Sequence, residues 1–299
     1  MNSLTNFPPS SAGSYGWEPA VFSLDAKDTL FAINKQRVQS LGKKKPAKPL
    51  ILNPPKTVEM AYYQALKKLV KYMTKKTNEI IIDKFPGLKE LYKAEMNLDG
   101  YGNEIVNTVG GIDFVVSRIF EEQAEQVTLS MFQETNQFSN NQFKRQSVKV
   151  VGVELLTNES FLKPLANSWT AANVDLIKTI PSQYFNQIEQ LVLTNVEKGV
   201  STKELRDSLV KLSGKTEKRC MVIARDQIGK LNGQINRSRS VSAGLTNFIW
   251  RTAQDPSVRD SHQMLDNKKF SWEDGADGLF PGQEIQCRCV AINDYSIFY

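Results

Sequence analysis

Apolar residues recur at three- and four-residue spacing from Thr57 onward: Val58, Ala61, Tyr62, Ala65, Leu66, Leu69, Val70 and Met73. This spacing predicts an amphipathic helix running to about Asp83. Its polar face carries Lys67, Lys68, Lys71, Lys75 and Lys76. A second amphipathic segment covers about Asp113–Glu134, with Phe114, Val115, Ile119, Phe120, Ala124, Val127, Leu129 and Met131 as its apolar positions. Asn136–Gln146 lacks the period and reads as a hinge between an N-terminal and a C-terminal half. Ser160–Ile180 and Ser182–Lys198 read as two helices. Gly199 then acts as a stop, and Ser201 with Glu204 forms a capping box for a short helix to about Leu212. A long helix follows from about Thr216 to Ala243, with Gly244 as its terminating glycine.

Beyond Gly244 the period shifts to two. Asn247–Thr252 alternates as a strand, and Asp255-Pro256 is read as the start of a short helix through Leu265. The stretch KKFSW is a second short strand. Glu284–Ile292 is a third, with Cys287 and Cys289 on one face and Gln286, Arg288 and Val290 on the other. Helices first and short strands last predict an α+β fold. Its N-terminal and middle regions are mostly helical, and a small C-terminal module of short antiparallel strands packs on a long helix.

The segments outside these periods set the expected domain organisation. Residues 1–23 are almost uncharged, rich in Pro, Ser and Gly, and punctuated by Phe7, Tyr15, Trp17 and Phe22. Such a segment buries no core by itself, and its aromatics suit docking onto a partner. Gly42–Lys56 is an extended Pro/Lys connector. The expected division is an arm and linker over 1–56, a basic helical region over 57–146, and a C-terminal domain over 147–299.

Charge adds a candidate surface. Between Leu24 and Lys76 twelve lysines and Arg37 face only Asp25, Asp28 and Glu59, within a chain of net charge +6. Lys43, Lys44, Lys45, Lys48, Lys67, Lys68, Lys71, Lys75 and Lys76 are therefore candidates for contact with a polyanion or an acidic protein. A solvated helix face plus a linker accounts for the same residues. No run reaches the roughly 18–20 apolar residues of a membrane span, so no membrane partner is expected. The first residues lack the basic and apolar regions of a signal peptide, which predicts a protein made and used in a cytoplasm.

The chain has three cysteines and a single histidine. An odd, low cysteine count implies no disulfide framework. Two cysteines and the histidine share one window, and His262, Cys287 and Cys289 are candidate zinc ligands, with Asp255, Asp260 or Asp266 as a fourth. Against this, a C-x-C pair in a strand spreads its sulfurs widely for one ion, and buried free cysteines commonly serve as small hydrophobes. A cysteine nucleophile with His262 as base and a carboxylate as orienting group uses the same parts. The deaminase, Walker A and G-x-S-x-G patterns are absent from the sequence. A structural reading places Asp255, Arg259 and His262 at i, i+4 and i+7 on one helix face. There, with Trp250 and Thr252, they lock a helix onto the strand carrying CRC, while Arg288 pairs with a carboxylate.

The run IARDQIGKLNGQINRSRSVSAGLTNFIWRTAQDPSVRDSHQMLDN, followed by FPGQEIQCRC, resembles the phage Mu protein F-like head morphogenesis family. The matching positions are Ile223-Ala224-Arg225-Asp226, Ala243-Gly244, Trp250, Thr252, Asp255, Val258-Arg259, His262, Leu265-Asp266, Pro281-Gly282 and Cys287-Arg288-Cys289. Asn267 stands where the family usually has glycine. The resemblance covers about residues 150–292 and marks Arg225, Trp250, Thr252, Asp255, Arg259, His262, Asp266, Cys287, Arg288 and Cys289 as signature positions without a catalytic role. It implies a non-enzymatic minor head protein of a tailed bacteriophage, needing no cofactor. Its place would be inside the head of a virion assembled in the host cytoplasm. Its partners would be the portal protein, packaged DNA, scaffold or major capsid protein, in a role in head assembly, DNA packaging or ejection. Two rival functions remain: a metal-dependent nuclease or hydrolase built on His262, Cys287 and Cys289, and a general DNA-binding protein acting through Lys43–Lys76.

Overall fold

A computed structural model describes residues 24–42, 45–51, 53–84, 98–198 and 202–299. The aromatic arm over 1–23, Lys43, Lys44, the Gly199 stop and the Ser201 cap lie outside these residues. The fold is α+β. Five helices come first: α1 (Leu24–Gln39), α2 (Lys56–Lys84), α3 (Leu98–Val151), α4 (Leu162–Glu197) and α5 (Thr202–Ser242). Then follow β1 (Asn247–Arg251), the short α6 (Asp260–Gln263), β2 (Lys269–Ser271), β3 (Val290–Asn293) and a 3-10 turn at Ser296–Phe298. No helix among the described residues is long and apolar enough to cross a membrane.

The chain divides into two compact units, one made of residues 1–59, 130–170 and 225–299, the other of 60–129 and 171–224. The described residues of the second unit are helical except for a turn at Lys198. On α2 its core is the apolar stripe that periodicity predicts; on α3 Phe114, Val115 and Leu129, expected on such a stripe, are exposed instead, and the buried face is set by Val116, Phe120 and Ala124. Tyr62, Leu66, Leu69, Val70 and Met73 are buried on α2, Val116 and Phe120 on α3, Ile177 and Ile188 on α4, and Leu205 and Leu209 on α5.

Three breaks expected from the sequence are absent. The hinge at Asn136–Gln146 lies inside α3, which runs unbroken for 54 residues. The helical period continues there, but polar side chains fill it: Thr135, Ser139, Gln146 and Ser147 are fully buried. Thr135 and Ser147 donate their hydroxyls to the carbonyls of Met131 and Phe143 four residues back, at 2.7 and 2.8 Å, so burial leaves them satisfied. The expected division after residue 146 thus falls within a continuous helix. Pro181 sits inside α4, where two helices were expected. It removes one backbone donor, and the buried face carrying Ile177, Ile180, Tyr184, Phe185 and Ile188 passes through it. The break expected between Leu212 and Thr216, where Gly214 stands, is likewise absent, and α5 runs through it. The flanking Leu212 and Cys220 are buried, and a mid-helix glycine costs only about 1 kcal/mol.

In the first unit, α5 ends where the sequence places its glycine. Gly244 has φ +88°, Leu245 N–H donates to Ser240 O at 3.0 Å, and Gly244 N–H to Val241 O at 3.1 Å. This is the two-bond pattern that closes a helix through a left-handed residue. The chain then enters a three-stranded antiparallel sheet of order β2-β1-β3. Phe248 pairs with Phe270 across to β2, and Trp250 with Ala291 across to β3. Phe248, Trp250, Trp272, Phe280, Tyr295 and Phe298 form one core with Val241 of α5 and with Phe143 and Val150 of α3. The small sheet therefore borrows its core from long helices.

Candidate functional site

The site lies wholly in the first unit and grows from the C-terminal end of β1. Trp250 exchanges backbone bonds with the following loop, donating to Lys268 O at 2.9 Å and accepting from Asn267 N–H at 2.8 Å. Asn267 has φ +63°, the left-handed conformation that glycine favours and asparagine tolerates. Asp266 closes this loop. Its Oδ1 accepts from the Thr252 N–H at 2.7 Å and the Thr252 hydroxyl at 3.1 Å, and its Oδ2 lies 3.3 Å from Arg251 Nη1. Burial raises the Asp266 pKa, but the two Thr252 bonds and the Arg251 charge outweigh it and hold the carboxyl below its ordinary value.

The expected helix from Asp255 to Leu265 contracts to Asp260–Gln263. Asp255 starts a tight turn instead: Val258 N–H donates to its carbonyl at 3.1 Å and Ser257 N–H to its Oδ1 at 2.9 Å. Arg259 is extended, with ψ 144°, and interrupts any helix from Asp255. Asp255, Arg259 and His262 therefore do not share a helix face. The Asp255 carboxylate instead grips the Arg288 guanidinium with both oxygens; one bond, Nη2 to Oδ1, measures 2.7 Å. Arg288 and, secondarily, the Ser257 N–H hold the Asp255 pKa below its ordinary value.

The CRC segment is not a strand as expected; β3 begins only at Val290. Residues 284–287 form a turn, with Cys287 N–H donating to Glu284 O at 3.0 Å and Gln286 at φ +59°. Helix α5 anchors this turn: Asp226 Oδ1 accepts from the Gln286 N–H at 2.8 Å, while Lys230 pairs with Asp226 Oδ2 at 2.8 Å. Gly282, at φ +88°, allows a close approach, because a Cβ there would lie 3.3 Å from the Gly229 carbonyl oxygen.

These turns converge on the histidine. His262 is 2% exposed, with the Trp250 ring edge-on at 5.4 Å between centroids. Its Nδ1 lies 3.5 Å from Cys287 Sγ and 3.5 Å from Cys289 Sγ. Its Nε2 lies 2.8 Å from Glu284 Oε2, an ion-pair distance with a geometry too bent for a regular hydrogen bond. Glu284 is held in turn by Arg259, 3.3 Å away, and Arg259 donates to the Ile285 carbonyl at 2.6 Å. The Cys289 thiol donating to Cys287 holds the Cys287 pKa below its ordinary value against the effect of burial, helped by the backbone N–H groups of Cys289 and Gly282 and by His262. The same bond, with burial, pushes Cys289 up.

The structure corrects the spacing objection to a shared ion. A strand would have spread the sulfurs; the turn gathers them, and one ligand atom each from His262, Cys287 and Cys289 lies within 4.8 Å of the others. Among the other signature positions, Arg225 stands apart, pairing with Glu59 at 3.3 Å. Two participants escape the sequence reading. Glu284 carries a signal only in retrospect, standing three residues before Cys287 at the mouth of the turn. Asp226, already part of the signature run, shows its role only through the turn it holds.

The lysine candidates divide between the units. Lys45 and Lys48 are exposed on the connector, which is pinned to α3 by Ala47 N–H to Val150 O at 3.1 Å and Gln146 Nε2 to Leu50 O at 2.6 Å. On α2, Lys68, Lys71, Lys75 and Lys76 are exposed. Lys67 is partly buried and pairs with Glu217 at 2.8 Å.

The family model described as "Phage Mu protein F like protein" matches residues 186–292. That stretch contains every signature residue named above, and the resemblance read from the sequence holds over it. An uncharacterised protein of Haemophilus influenzae is 36% identical over 145 residues, which are 47% of this chain and 32% of that protein. The chain thus spans about a third of the length of this relative. No solved structure matches.

Proposed function

We propose that this chain is a head morphogenesis protein of a tailed bacteriophage. In this reading it is a minor, portal-associated component inside the head, acting in assembly, packaging or ejection without chemistry of its own. The observation that carries the reading is the Mu protein F-like match over residues 186–292. The site's geometry supports it. Asp255 is committed to Arg288, Asp266 to Thr252, and Asp226 to Gln286 and Lys230. Polar groups that satisfy one another in this way fix a small module rather than stand ready for substrate. The exposed lysines of α2 and the connector suit contact with packaged DNA or an acidic portal surface.

The test is to tag the chain in the phage genome that encodes it, purify heads, and quantify it by mass spectrometry beside the portal protein. The expected result is a few copies per portal-containing particle, with misassembled or unfilled heads when the gene is deleted. Its absence from the particles, with normal heads after deletion, overturns the proposal.

A further inference from the structure

We propose that His262 Nδ1, Cys287 Sγ and Cys289 Sγ hold a zinc ion, a site independent of the head assignment. Imidazole nitrogen and thiolate sulfur are the donors zinc favours. The spacing fits one ion. Two ligand atoms on a tetrahedral zinc, with Zn–S near 2.3 Å and Zn–N near 2.05 Å, stand about 3.6 Å apart. Both sulfurs lie 3.5 Å from Nδ1. A hydrogen-bond account needs only one thiol against that nitrogen; a metal needs both.

A carboxylate also stands behind the ring: Glu284 Oε2 lies 2.8 Å from Nε2, on the side away from the sulfurs' partner Nδ1. Carboxylates commonly orient metal-bound histidines in this way. Zinc takes both sulfurs as thiolates, so any proton still held on them leaves to solvent on binding. The described residues supply three ligand atoms. The ion would tie the 284–289 turn to α6, where regular backbone bonding is sparse.

The experiment uses the full chain, stripped with a chelator under reducing conditions, reloaded with excess zinc and desalted. Elemental analysis should return near one zinc per chain, and neither iron nor copper from protein purified without chelator. Cys287→Ser and Cys289→Ser should each lose the ion, while Cys220→Ser, in the second unit, retains it. Glu284→Gln should keep the fold and weaken zinc about 10-fold, as the loss of an orienting partner does. Should the cysteine variants fail to fold, cobalt reloading of the unsubstituted chain decides. A thiolate-to-cobalt charge-transfer band with tetrahedral d–d intensity supports the site. A chain that returns no zinc, cysteine variants that keep it, or a cobalt spectrum without the thiolate band overturns it.

Discussion

The two compact units bury different kinds of side chain. The second buries apolar residues at helical spacing, and its buried polar residues among those described are Thr77, Thr128, Asn173 and Thr216. The first buries Asn34, Gln146, Arg237, Arg239, His262 and Asn293 among many others. Arg239, 1% exposed, illustrates the difference. Its guanidinium meets both oxygens of Glu159 at 2.9 Å and the Ser139 hydroxyl at 2.8 Å, and it also contacts Asn136. Apolar packing asks for volume; a buried polar network asks for each partner in its place. The contrast teaches that the first unit is specified by identity and the second by shape.

Substitutions break or sharpen this contrast. Arg239→Met keeps much of the volume and loses every partner; it should cost about 4 kcal/mol in urea unfolding. In the second unit, Leu66→Ala should cost about 3 kcal/mol, yet Leu66→Met less than about 1.5 kcal/mol. Equal tolerance of Arg239→Met and Leu66→Met would erase the distinction. Gly244→Ala places a Cβ 2.6 Å from the Phe31 ring at φ +88° and should lose about 2 kcal/mol. Asp266 tests the network by pH. Its folded pKa is depressed, so its contribution is present above the unfolded value of about 3.9 and is lost as pH falls through the folded value. Asp266→Asn should therefore lower the urea midpoint at neutral pH, with the gap to the unsubstituted chain closing on acidification. Lys68→Ala and Lys71→Ala, on the exposed face of α2, should change stability by no more than about 0.5 kcal/mol.

This division also explains what could be read in advance. Helix α2 was legible because leucine, valine and methionine mark its buried face, and β1 because Phe248 and Trp250 alternate with polar neighbours. The middle of α3 was not, because Thr135, Ser139 and Gln146 occupy inward positions and disguise the period. Pro181 and Gly214 are strong punctuation locally, and long buried faces override them. At the site, the residue types that meet were legible while the backbone that brings them together was not. The left-handed turns at Gln286 and Asn267 and the extended Arg259 replace the expected strand and helix, and nothing periodic announces them. Glu284 joins the histidine only through that turn.

The interleaving of the units has a consequence for synthesis. The first unit's core contains Val38 and also Tyr295 and Phe298. Its earliest helix must therefore wait, with its apolar side exposed, while some 250 further residues leave the ribosome. The last residue of the second unit is 224. Order of emergence thus favours closing the apolar unit first and leaves the polar one for the end, where a chaperone holding α1 would have most to protect.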